Sequence, residues 1–485
     1  MNFISLEFAV FVAAALIFYY LCPFRFRWIV LLGANLLFFA DFSVWYLPFL
    51  LFTAATTYAA ARVVERSQKH RKLPIVLCLA ANIGIWFVVK DYHWAASLLQ
   101  RMFAFLTLPT LENLIVPVGI SYYTLQSIGY LIDVYRGEKA ERNFFRYTLF
   151  LSWFPAIVQG PISRYHDLAP QFQEEHRFRD QDFSGQLLLI LFGVIKKVVI
   201  ADQLARVANY CFDNYETLGF FQLYLGAIAF SIQLYMDFSG CVDICRGSSG
   251  LFGIHLQQNF SAPYFSRSIA EFWRKWHISL SSWLRDYVYI PLGGNRKGTV
   301  RKYINVVLVF LVSGLWHGAG GHFLVWGLIH GLYQVIGAVT AKPRNRLRQV
   351  LGIQKDSTSE KIYQTVITFH LVALGWIFFR APGISEAIGY LTRMFTNWNP
   401  WALADGSLYA LGLGQNLFRA VTVNILLVFL VDFLHTQKKD GLRKGIQSLH
   451  IGVRWAVYFV MIYDVLLFGA YGAGVDPAAF LYGGF

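Results

Sequence analysis

Apolar stretches recur along this chain from its first residues almost to its end, separated by short polar runs. They fall at about 4–22, 28–40, 46–62, 74–90, 114–134, 146–160, 185–203, 217–238, 303–318, 322–340, 362–380, 416–434 and 451–470. At about 1.5 Å per helical residue, a hydrocarbon core of about 30 Å needs about 20 residues. The runs near 28–40, 146–160 and 303–318 are shorter than that, so broken or re-entrant segments are expected there. The pattern predicts an all-α, polytopic transmembrane helical bundle of about 11–13 membrane helices with re-entrant and interfacial pieces. Its longest polar connections, 163–184 and 341–361, are too short to fold alone, and no internal repeat is visible, so residues 1–485 read as a single integral membrane domain.

The segment from Ser261 to Arg301 departs from the pattern. It interleaves Arg267, Glu271, Arg274, Lys275, Arg285 and Asp286 with Phe272, Trp273, Trp276, Trp283, Tyr287 and Tyr289. Such a mixture cannot span a bilayer as an isolated helix; it lies along the interface or lines a cavity. Pro291 and the run Gly293-Gly294-Asn295 are expected to end it in a turn.

Composition agrees with the pattern: 56% of the 485 residues are hydrophobic, 14% are charged and the mean hydropathy is +0.46. A soluble multidomain protein is thereby excluded. The net charge of +14 does not point to nucleic acid, because the basic residues sit in short runs between apolar segments, as positive-inside topology requires. The runs at Arg62–Lys72, Arg344–Arg348 and Lys438–Lys444 read as cytoplasmic, which puts both the N-terminus and the tail Gly472–Phe485 on the extracytoplasmic side of a cell (cytoplasmic or inner) membrane. The first run lacks a basic n-region and carries Glu7, so it reads as a retained helix. The five cysteines show neither pairing nor metal-ligand spacing, and no metal is expected.

Candidate chemistry resides in two histidines. His277 follows Trp273-Arg274-Lys275-Trp276, and His317 stands in Gly314-Leu315-Trp316-His317-Gly318. An intramembrane imidazole is a functional hypothesis by default, and imidazole exchanges protons near neutral pH, as acyl transfer to a hydroxyl requires. The competing reading is a core histidine hydrogen-bonded to a carbonyl. His322 and His330 flank the same region and read mainly as packing residues. Asp237 lies inside an apolar helix and must be paired or protonated, a bracing role more than a catalytic one.

The string WRKWHISLSSWLRDYVYIPLGGNRKG, from Trp273 to Gly298, resembles the signature of the membrane-bound O-acyltransferase family in its bacterial alginate O-acetylation branch. The resemblance extends through Pro117–Arg136, Phe154–Arg164, Gln233–Asp243, Ser313–Gly331 and Phe378–Ala381. It implies a funnel-shaped core, His317 as the catalytic residue and His277 as the second family histidine, with Trp276, Trp316 and Asp237 as structural support. It also implies a donor approaching from the cytoplasm, an acceptor from outside, and no permanently bound cofactor. The donor would be acetyl-CoA or another acyl thioester, including a carrier-bound acyl group. The acceptor would be an exported or cell-wall polysaccharide, with an extracytoplasmic SGNH-type transferase as a partner.

Arg164, at a span end after Gly160-Pro161, and Arg296 with Lys297 are candidates for donor phosphates, although interface anchoring and positive-inside bias also account for them. The terminal Phe480–Phe485 resembles the aromatic tail of that branch and makes Tyr482 a candidate acyl relay or partner-docking residue, with an aromatic belt anchor as the alternative. Two other classes of function remain. A transporter should show paired broken helices in related halves, which are not visible. A non-catalytic scaffold of a polysaccharide export complex would tolerate loss of both histidines.

Overall fold

The computed structural model describes residues 1–67, 71–103, 116–437 and 441–471, and among them there is no β-strand. The protein is an all-α multi-pass membrane protein. Among the described residues eight helices are long and apolar enough to cross a bilayer: Val44–Arg66, Lys72–Lys90, Phe220–Leu251, Thr299–His317, Gly321–Val339, Thr358–Arg380, Gln415–Thr436 and Ile451–Phe468. Several further runs counted from the sequence form helices below crossing length, such as Leu6–Leu21 and Arg27–Phe42 with 16 residues each and Ile120–Arg136 with 17.

Of the three runs expected to be interrupted, one is. The helix Phe144–Leu151 stops at Ser152, and a new turn, Phe154–Ile157, starts with Pro155 in its first positions, where the missing N–H costs nothing. Asn35 holds the break: its Nδ2 donates to the Leu149 carbonyl and to Ser152 Oγ, and its Oδ1 accepts from the Phe154 N–H at 3.0 Å. The run near 303–318 is corrected: Thr299–His317 is one unbroken helix long enough to cross, because Thr299, Arg301 and Lys302, which do not count as apolar, extend its start. Arg27–Phe42 is also unbroken, and with 16 residues it stays below crossing length.

The described residues form two compact units, the first comprising Met1–Ile190 with Cys241–Gln257, the second Leu191–Gly240 and the chain from Gln258 onward. In the second unit, Thr299–His317 and Gly321–Val339 run antiparallel, joined by Gly318-Ala319-Gly320. Their backbones touch: a Cβ on Gly314 would overlap the Phe323 carbonyl oxygen, one on Gly327 would overlap that of Phe310, and one on Gly331 would stand 3.2 Å from Val307 Cα. Small residues at helical spacing permit this approach, as in many membrane helix pairs.

The aromatic, charged segment is divided into short pieces, helices Ile269–Lys275 and Ile278–Leu284 and a π-turn Arg285–Tyr289, and ends in the expected turns up to Gly298. Ser268 caps the first helix, its Oγ accepting from the Glu271 N–H, and the Glu271 carboxylate accepts from the N–H of Arg267 just before the cap. Lys275 completes the turn with an ion pair to Glu271 at 2.8 Å.

Candidate active site

His317 is the last residue of the helix Thr299–His317, where the chain turns on Gly318, and only 3% of it is exposed. Its imidazole is walled by aromatic rings: Trp316 at 4.8 Å, Trp326 at 5.2 Å and Phe379 at 5.2 Å between centroids, all edge-on. These rings come from three helices, so the environment of His317 is assembled by the antiparallel pair together with Thr358–Arg380. Gly318 is required at the turn, because a Cβ there would strike the Phe323 ring at 2.6 Å.

His277 sits between the two short helices with φ +46°, a left-handed conformation that costs a non-glycine residue about 1–2 kcal/mol. Asn259 sustains it. The Asn259 carbonyl accepts from the Ile278 N–H at 3.0 Å, while Asn259 Oδ1 accepts from the N–H and the hydroxyl of Ser279, both at 2.9 Å, and lies 3.4 Å from His277 Nδ1. The ring is 1% exposed and packs on Phe238 at 4.8 Å, and burial pushes its pKa down to about 3. It is therefore a neutral imidazole at neutral pH.

Trp316 joins the two histidines, its ring lying 4.8 Å from that of His317 and 5.9 Å from that of His277. Trp276 is buried one layer behind, against Phe260, Phe272 and Trp376 at 5.1–5.3 Å. A cavity of about 160 Å³ is walled by Trp273, Leu280, Tyr289, Val306 and Phe310 among others, and neither histidine lines it.

Asp237 is paired. Its Oδ1 accepts from Lys197 Nζ at 2.6 Å, and Lys197 also reaches Asp202 at 2.8 Å. Lys197 belongs to a buried π-turn, Ile195–Ala201, which inserts an extra residue into the helix and directs the ammonium inward. This triad anchors the helix Phe220–Leu251 one residue before Phe238, the ring on which His277 packs.

The remaining candidates are placed as follows. Arg296 and Lys297 lie in the turns before Thr299, at the opposite end of the His317 helix, about 27 Å away along its axis. Arg164 belongs to the first unit, preceding the short helix Tyr165–Leu168. Tyr482 lies outside the described residues. One group with metal-ligand chemistry occurs among the described residues, Asp133, Glu138 and His166 in the first unit, where Glu138 and His166 are exposed.

Two supports escaped the sequence reading. Lys197 was hidden because it lies inside the apolar run 185–203 with no local sign of its partners, and Asn259 because nothing local marks an asparagine as the partner of residues 18 to 20 positions away.

The description of the membrane-bound O-acyltransferase (MBOAT) family matches residues 134–345, which contain both histidines and the Lys197 triad. A probable alginate O-acetylase, AlgI, of Pseudomonas syringae pv. tomato is 36% identical over 441 residues, covering 87% of this chain and 80% of the relative. The chain belongs to the membrane-bound O-acyltransferase family. It is an O-acyltransferase, and the MBOAT resemblance in its sequence strings reaches well beyond the matched core. The probable AlgI of Pseudomonas aeruginosa is 37% identical over 400 residues, 80% of this MBOAT chain and 73% of the relative. The peptidoglycan O-acetyltransferase of Helicobacter pylori is 35% identical over 398 residues, 76% and 73% respectively.

Proposed function

We propose that this enzyme moves an acyl group, most simply acetyl, from a thioester donor on the cytoplasmic side to hydroxyls of an exported or cell-wall polysaccharide, with His317 as the general base. The observation that carries the reading is a buried imidazole at a helix end, lined by aromatic rings and linked through Trp316 to a second buried imidazole. A neutral His317 takes the proton of the acceptor hydroxyl as its oxygen attacks the thioester carbonyl, then returns that proton to the departing thiolate. His277, fixed by Asn259, orients a substrate or the donor carbonyl.

The acceptor class follows the relatives, whose names refer to alginate and peptidoglycan. Acetyl-CoA is the donor proposed first, with a carrier-bound thioester as the variant, and neither is a resident cofactor. Arg296, Lys297 and Arg164 would hold donor phosphates. An extracytoplasmic SGNH-type transferase would receive the acyl group, with Tyr482 as relay or docking point on a tail outside the cell membrane, as the N-terminus would also be.

The test compares acyl esters on surface glycans of cells carrying the wild-type protein and the His317→Ala variant at equal membrane abundance. Loss of the esters is expected. Equal ester content would reject His317 as the base.

A further inference from the structure

His330 lies in the middle of the helix Gly321–Val339 and is fully buried. Its Nδ1 is 3.2 Å from Trp273 Nε1. An indole N–H can only donate, so Nδ1 accepts, and a neutral imidazole then carries its proton on Nε2. That Nε2–H is buried with no hydrogen-bond partner among the described residues, and the same holds for the indole nitrogens of Trp326 and Trp376. The three rings touch one another: Trp326 is 5.3 Å from His330 and stacks on Trp376 at 5.6 Å, and His330 is 5.9 Å from Trp376. All three side chains are 0% exposed. Trp326 also borders His317, at 5.2 Å.

A buried N–H without an acceptor costs about 1–3 kcal/mol, and phenylalanine in place of either tryptophan would remove the cost while filling much of the same space. A cluster composed only of donors suits an electron-rich oxygen. The backbone of residue 375 comes close to this edge of His330, which only glycine allows, since a Cβ there would stand 2.6 Å from Nε2.

We propose that His330, Trp326 and Trp376 form a donor-lined site for the carbonyl oxygen of the acyl group being transferred, beside His317. This rests on the acyl-transfer reading above. When the acceptor oxygen bonds to the thioester carbon, the carbonyl π electrons move onto its oxygen, and the acceptor proton goes to His317. The N–H donors meet that oxyanion. As the C–O double bond re-forms, the C–S bond breaks and the thiolate takes the proton from His317. Donors already oriented in a dry site stabilise the charged intermediate more than the ground state. Trp273 is a positioning residue, since its indole sets which His330 nitrogen carries hydrogen.

The test uses the full chain in lipid vesicles, with acetyl-CoA as donor and de-esterified surface glycan of the producing cell as acceptor. His330→Phe should lower kcat about 100-fold with the KM for acetyl-CoA little changed, and His330→Gln, which restores an N–H near the Nε2 position, should recover at least about ten-fold of it. Should His330→Phe fail to fold, Trp376→Phe takes its place and should lower kcat about ten-fold while the unfolding temperature stays within a few degrees. An unchanged kcat in whichever variant folds, or His330→Gln as slow as His330→Phe, overturns the proposal. His317→Ala in the same assay separates the two readings. If it is inactive while His330→Phe is fully active, only the oxygen site is lost; if it is active, the base assignment and the oxygen site are lost together.

Discussion

Lys197 and His330 are both buried polar side chains in the second unit, and their surroundings differ in kind. Lys197 meets Asp237 and Asp202 at 2.6 and 2.8 Å, so its charge is answered on the spot. His330 has one nitrogen answered by Trp273, while the other, like the indoles of Trp326 and Trp376, faces no acceptor among the described residues. A cluster whose partners are complete holds helices together. One with donors to spare is arranged for something that arrives later, and it is this second cluster that adjoins His317.

The comparison breaks first at the ion triad. Lys197→Met leaves two carboxylates uncompensated in an apolar surrounding and should cost about 3–5 kcal/mol, read as a large drop in the detergent unfolding temperature. The triple variant Lys197→Met, Asp202→Asn, Asp237→Leu should regain most of that loss, since removing all the charges removes their desolvation. If Lys197→Met is as stable as wild type, the triad does not brace the site.

Next in size is Asn259→Ala, which strips the acceptor from the N–H and hydroxyl of Ser279 and should destabilise by about 2–3 kcal/mol. Acyl transfer should fall as well, because the turn at His277 loses its support; a normal rate at normal stability would mean that the turn holds itself. Gly327→Ala places a Cβ against the Phe310 carbonyl and should cost about 1–3 kcal/mol, and thermal unfolding of that variant checks how rigidly the helix pair is packed.

A further effect is pH-dependent. The pKa of His277 is about 3 in the folded protein, below its ordinary value, so beneath about pH 6.5 the unfolded chain binds a proton that the folded chain does not. The contribution of His277 to stability is complete above about pH 6.5 and falls as the pH drops toward 3. His277→Gln should flatten this part of the stability curve, and an unchanged slope would show that His277 charges readily where it sits.

Much of this was legible along the chain. The apolar runs announced a helical membrane protein, and the mixed segment at 261–301 announced that no single helix spans there, because a row of charges among aromatics has no stable place in a spanning helix. The interruption at 146–160 and the short helix near 28–40 were readable from the length of those runs, whereas 303–318 misled, since apolarity reports burial in lipid and helix length follows backbone hydrogen bonding. His277 and His317 stood out by their contexts. Lys197 and Asn259 did not, and His330 read as packing.

Sequence alone determined the class of protein and the two imidazoles worth testing, because hydropathy and short strings are local properties that survive without coordinates. Tertiary structure decided which groups those imidazoles meet. The partner of Asp237 lies 40 residues away, that of His330 57, and the glycine facing His330 Nε2 another 45 along the chain. Contacts across such separations are set by how helices pack on one another, and no local pattern of residues records that packing.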